Sequence, residues 1–275
     1  MPYSFNPHEP LAAAIARIMD EQIVRARANL TDPELPVEER VHDARKRFKE
    51  TRALIRLVRK PLGAQFAIEN AWFRDAGRDL AASRDAAAVI EAVDKLELPR
   101  GVATRIRNQL RAAQQEHPPL EPIIANVLEQ LGVAQARVAL WPVMEDSFTT
   151  IADGLQRTYR LGRRAMRNAS TPDELHEWRK RVKEHWYHAQ LLREIWPAMM
   201  KPYANVMQDL SRALGDHHDL HVLRELVTAP SVIKAIDARQ RLLEAEARSI
   251  GARVYVEPAR AWLARMRNLW KAWNE

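Results

Sequence analysis

Apolar residues recur three and four apart through nearly the whole chain, separated by short stretches rich in proline or glycine. That period belongs to helices with one buried face, since an α-helix advances about 100° per residue. Leu11, Ile15, Ile18, Met19, Gln22 and Ala26 mark the inner face of a helix over 11–30. Beyond the break at Thr31-Asp-Pro-Glu34, the set Val37, Val41, Ala44, Phe48, Ile55 and Val58 predicts a second helix to residue 60. Pro61 and Gly63 stop it. Further helices are expected over 65–80, 83–96 and 102–116, then a short apolar one at 123–131. A second series follows over 143–168, 173–195, 203–214, 219–227 and 231–250, with a last helix after Pro258. Nothing alternates as a strand would. Short connections imply antiparallel neighbours, so the expectation is an all-α fold of two bundles of about four helices. The halves are expected at 1–118 and 143–275, joined by a connecting segment over 119–142.

The second predicted helix sorts its charges as well as its apolar side. His42, Arg45, Lys49, Arg52 and Arg56 share an arc centred roughly 120° from the apolar one. Glu39, Asp43 and Glu50 take the remaining side. A helix needing only solubility would intersperse Glu and Lys four apart. Cations gathered on one flank of the core instead form a wall along which an anion can lie. The same text recurs, because residues 175–184 (LHEWRKRVKE) repeat residues 41–50 (VHDARKRFKE). His42 and His176 stand 134 positions apart, as do Lys49 and Lys183. The run from Leu80 to Asp85 meets the run from Leu214 to Asp219 at the same offset. Two matches in one register argue for a duplicated unit of roughly 130 residues.

Composition narrows the chemistry. There is no cysteine, which excludes disulfides, thiolate catalysis and cysteine-type zinc sites. A formal net charge of +7 favours an anionic partner. The apolar stretch from Leu11 to Met19 is short, contains Arg17 and lacks a basic lead-in, so no secretory signal is read. No segment approaches the length of a membrane span. A cytoplasmic location is the expectation.

The pattern His-x-x-Arg-x-x-x-Lys at 42–49 and 176–183 resembles the CHAD family, the conserved histidine α-helical domain. Lys183-Glu-His-Trp-Tyr187, the run Leu-Gly-Asp-His-His-Asp-Leu at 214–220 and the ending Val256-Glu-Pro258 with Leu269-Trp-x-x-Trp273 extend the likeness over residues 3–273. The resemblance implies two four-helix bundles related by a pseudo-twofold axis. Basic residues would face a central groove or pore that binds inorganic polyphosphate. Members of the family occur alone or fused to a triphosphate-tunnel enzyme, for which this chain leaves no room. Some associate with polyphosphate or polyhydroxyalkanoate granules. The family usually carries an Arg-Asp pair in both halves; Arg84-Asp85 keeps it, and His218-Asp219 departs from it.

A flexible polyanion needs many cations along a track and little shape discrimination. His42, Arg45, Lys49, Arg52 and Arg56 would form one wall, and His176, Arg179 and Lys183 would begin the other, with Lys46 and Lys180 at the rim. Where the first helix has Arg52 and Arg56, the second has Trp186 and Gln190, with Tyr187 beside them. The preceding helix can compensate through Arg160, Arg163 and Arg164, which belong to a basic row from Arg157 to Arg167. Two readings stay open for His42 and His176, which either donate to phosphate or pack between helices, and for Tyr187, a hydroxyl donor or a core residue. The cluster His217 to His221 raises an alternative, a metal-dependent phosphohydrolase. The aligned Ser83-Arg84-Asp85 lacks such ligands, so no metal site is assigned. A nucleic-acid or granule-surface adaptor is the other alternative; no aromatic platform interleaves with the first basic stripe, which weighs against single strands. The expectation is a non-enzymatic polyphosphate binder with no cofactor.

Overall fold

The computed structural model describes residues 3–81, 85–112 and 119–275, the side chains of residues 85–88 lying outside that description. Among the described residues there are twelve helices and no strand. The first seven are α1 (Leu11–Thr31), α2 (Val37–Leu57), α3 (Arg59–Leu62), α4 (Gln65–Asp79), α5 (Asp85–Asp94), α6 (Arg100–Ala112) and α7 (Leu120–Val138). The remaining five are α8 (Thr149–Asn168), α9 (Pro172–Leu191), α10 (Pro197–Leu226), α11 (Pro230–Val254) and α12 (Ala259–Asn274).

In the first half α1 packs on α2 and α7, while α4 packs on α2 and α7, closing a four-helix arrangement. In the second half α9 lies between α8 and α10, with α11 on α10 and α12 on α8. The halves meet where α2 lies against α9 and α8, where α3 touches α8 and where α5 packs on α10. Gly154 of α8 allows a close approach at this seam, since a Cβ there would sit 2.1 Å from the Leu57 carbonyl oxygen. One continuous apolar core runs through both halves, from Phe5 and Ile15 to Trp178, Leu210 and Trp262.

Several elements differ from their sequence expectation. The segment expected to connect the halves holds the 19-residue helix α7, whose buried Leu120, Ile124, Val127, Leu131 and Ala134 pack into the first half. Its Arg137 donates through Nε and Nη2 to the two oxygens of Glu69, both at 3.0 Å, and Glu69 is fully buried. The helix expected from residue 143 begins at Thr149 instead. The freed strand of chain brings Asp146 to the head of α1, where its carboxylate accepts from the Leu11 N–H at 2.7 Å. A carboxylate at a helix start satisfies an orphan donor and meets the positive end of the dipole. Two helices expected over 203–214 and 219–227 are one, α10, of 30 residues. Met207, Leu210, Leu214, His217, Leu220 and Leu223 keep one buried face in phase through Gly215, and a single glycine costs a helix only about 1 kcal/mol.

Candidate functional site

The shared face of α2 and α9 begins with a well-made helix start. Thr171 Oγ1 accepts from the Glu174 N–H, and the Glu174 carboxylate accepts from the N–H groups of Thr171 and Ser170 at 3.0 and 2.9 Å. Pro172 fills the first turn, where its missing N–H costs nothing. The apolar Leu175, Trp178 and Val182 turn one side of α9 inward. The side facing α2 is left to charged residues, and α2 answers with its own.

Between the two helices lies a cavity of about 410 Å³. From α2 it is lined by Lys49, Arg52, Ala53 and Arg56. From α9 come the cations Arg179, Lys180, Arg181 and Lys183, the carboxylates Glu177 and Glu184, and Tyr187. Seven cations against two carboxylates leave the lining at net +5.

Its floor is built by contacts across the seam. His188 Nε2 donates to the Ala53 carbonyl at 2.8 Å, and burial lowers the pKa of that ring, keeping it neutral. Glu184, only 7% exposed, joins three helices. It accepts from Arg56 Nη1 of α2 at 3.0 Å and from Thr158 Oγ1 of α8 at 3.1 Å, and lies 3.8 Å from Arg181 Nη1. Arg52 donates from Nε to Asn70 Oδ1 at 3.4 Å. Burial, reinforced by Arg56 and Arg74, pushes its pKa down to about 10, so it stays cationic at neutral pH. The Lys183 ammonium stands 5.3 Å from the centre of the Trp186 ring. Tyr187 is nearly buried, edge-on to Tyr3 at 6.2 Å, and burial raises its hydroxyl pKa.

Of the residues singled out from sequence, Lys49, Arg52, Arg56, Arg179, Lys183, Tyr187 and the rim candidate Lys180 line this cavity together. His42 and Arg45 are half-buried nearer the start of α2, and Lys46 is exposed; none of the three is in the lining. His176 packs its ring on His218 of α10 with centroids 4.0 Å apart. Burial lowers the pKa of both rings, that of His218 to about 4. Arg163 donates through Nε to the Tyr255 carbonyl at 3.0 Å, tying α8 to the end of α11. Arg160 and Arg164 are exposed and project about 200° and 240° round α8 from Thr158, which touches the cavity floor. Ser83 and Arg84 lie outside the described residues.

The carboxylates and Arg181 were not anticipated. The signal was present, because Glu177, Arg181 and Glu184 recur at i, i+4 and i+7 and match Asp43, Arg47 and Glu50 at the offset of 134. Periodicity alone could not say which triplet turns toward the seam. The His217–His221 cluster is tied up elsewhere. Lys95 Nζ reaches Asp216 Oδ1 at 2.7 Å and Asp219 Oδ2 at 3.3 Å, and His221 pairs with Glu225 at 3.7 Å. Among the described residues no three histidine, aspartate or glutamate side chains gather as a metal site would require. No helix there is long and apolar enough to cross a membrane.

Comparison with known proteins bears on this arrangement. The CHAD domain profile matches residues 17–228. The crystal structure of the CHAD domain from the plant Ricinus communis superposes with a TM-score of 0.56 at 17% identity, covering 98% of this chain and 94% of that one. At that identity the likeness speaks for the fold. A search of curated proteins finds no match.

Proposed function

The chain belongs to the CHAD-domain family, and from that premise we propose that it binds inorganic polyphosphate in the cavity between α2 and α9, as a binding protein and not as an enzyme. One observation carries the reading: two helices from different halves of the chain line a single cavity with seven cations and two carboxylates. A linear polyphosphate bears roughly one negative charge per phosphate unit. One helical turn rises about 5.4 Å, so cations spaced three and four apart on α2 meet about every second unit, and α9 supplies the others. Arginine forks suit the phosphate oxygens, and lysines add point charge without shape demands. Location at polyphosphate or polyhydroxyalkanoate granules in the cytoplasm follows as part of this proposal.

Calorimetric titration with orthophosphate, tripolyphosphate and long-chain polyphosphate tests it, with phosphate release and RNA competition measured on the same protein. The expected result is affinity that rises with chain length, no phosphate released with or without divalent metal, and RNA displaced by polyphosphate. Length-independent weak binding, or release of phosphate, defeats the proposal. Retention of RNA against excess polyphosphate would favour a nucleic-acid adaptor.

A further inference from the structure

Carboxylates stand inside the cavity that polyphosphate would fill, and they come from one wall only. Glu177 of α9 holds Lys180 Nζ at 2.6 Å and Arg181 Nη2 at 2.5 Å. Glu184, two turns further on, holds Arg56 Nη1 at 3.0 Å, with Arg181 Nη1 at 3.8 Å. Arg181 thus lies between two acids, and the lining cations Arg56, Lys180 and Arg181 already face carboxylates of the same cavity. The matching acids of α2, Asp43 and Glu50, are not part of the lining; Glu50 is buried against Arg47 at 2.9 Å. The two acids of α9 also differ in freedom. Glu184 is 7% exposed and fixed by Thr158 and Arg56, whereas the Glu177 side chain is 40% exposed and can swing into water.

We infer that Glu177 and Glu184 are built-in competitors that set the selectivity of this cavity, yielding to a chain of several phosphates and not to a single one. The inference rests on the polyphosphate reading above. An anion approaching Arg181 or Lys180 must compete with a carboxylate already at hydrogen-bonding distance, so its first contact gains little. Orthophosphate meets that competition at its one contact and has nothing further to add, so the carboxylate keeps its place. A long polyphosphate has other seats along the same cavity: its units meet Lys49, Arg52, Arg179 and Lys183 whether or not one of them lies beside Glu177, without a second loss of translational freedom, so it bears only part of that competition. Glu184 cannot leave, so its charge stays under the bound chain and raises the threshold for short ligands.

Glu177→Gln tests this, because it removes the charge and keeps the shape. Wild type, the variant and a control, Glu97→Gln at an exposed site outside the cavity, are titrated with tripolyphosphate and with long-chain polyphosphate. The expected result is a gain of about three- to tenfold for tripolyphosphate in Glu177→Gln, a smaller gain for the long chain, and no change in the control. An unchanged or weaker affinity for tripolyphosphate overturns the inference, as does an equal gain for both ligands or the same gain in Glu97→Gln. Wild type that fails to bind long-chain polyphosphate overturns the reading beneath it, which keeps the two failures apart.

Discussion

Reversing one lysine on each wall, Lys49→Glu with Lys183→Glu, removes positive charge from both sides of the cavity at once. The lining stands at net +5, and each reversal removes two units, leaving about +1. For a single-stranded polyanion, log K falls with log salt at about 0.7 per neutralised charge. The wild type should therefore show a slope of about −3.5 and lose about 130-fold in affinity between 50 and 200 mM salt. In the variant the slope should flatten to about −0.7, with a loss of about threefold over the same range. Fluorescence anisotropy with end-labelled long-chain polyphosphate across that salt series measures both slopes, and far-ultraviolet circular dichroism checks that the variant is folded. Lys49 is exposed and Lys183 only half-buried, so the fold should survive. A folded variant whose slope stays steeper than about −3 would show that the polyanion lies elsewhere.

Two further predictions concern the frame of the cavity. Gly154→Ala forces a methyl group against the Leu57 carbonyl at the seam, and overpacking of this kind should cost about 1–3 kcal/mol, a fall of roughly 2–12 °C in Tm for a chain of this size; an unchanged melting curve would mean the halves are not in contact there. His185 is buried beside the hydroxyls of Tyr203 and Tyr255, and desolvation, with His188 adding to it, lowers its pKa to about 3. Below about pH 6.5 the unfolded chain takes up a proton that the folded chain refuses, so this contribution is full above pH 6.5 and erodes as pH falls toward 3. Urea midpoints from pH 7 to pH 4 should fall less steeply in His185→Gln than in wild type; parallel slopes would rule the histidine out as the source.

Helical class and the cations of α2 and α9 were legible because both are local. The 3–4 spacing of Val41, Ala44 and Phe48 fixes which side of α2 turns inward, and with it the side that carries Lys49, Arg52 and Arg56. Errors clustered where a local signal has two outcomes. Gly215 and its polar neighbours suggest a loop, yet the buried face of α10 runs through them because packing on α9 and α11 outweighs one glycine. The segment around Ile124 and Leu131 looked like a connector between prolines until α1 and α4 gave its apolar row something to cover.

Sequence alone determined that the protein is a helical member of its class and that basic residues recur in two registers 134 apart. Only tertiary structure decided that Arg163 clasps a backbone carbonyl, that His176 packs against His218, and that Glu177, Arg181 and Glu184 share a cavity with the cations of α2. Helical phase is set by neighbours three and four residues away along one chain. The occupant of each remaining side of a helix is set by which distant helix comes to lie against it, and that depends on the closure of the whole core.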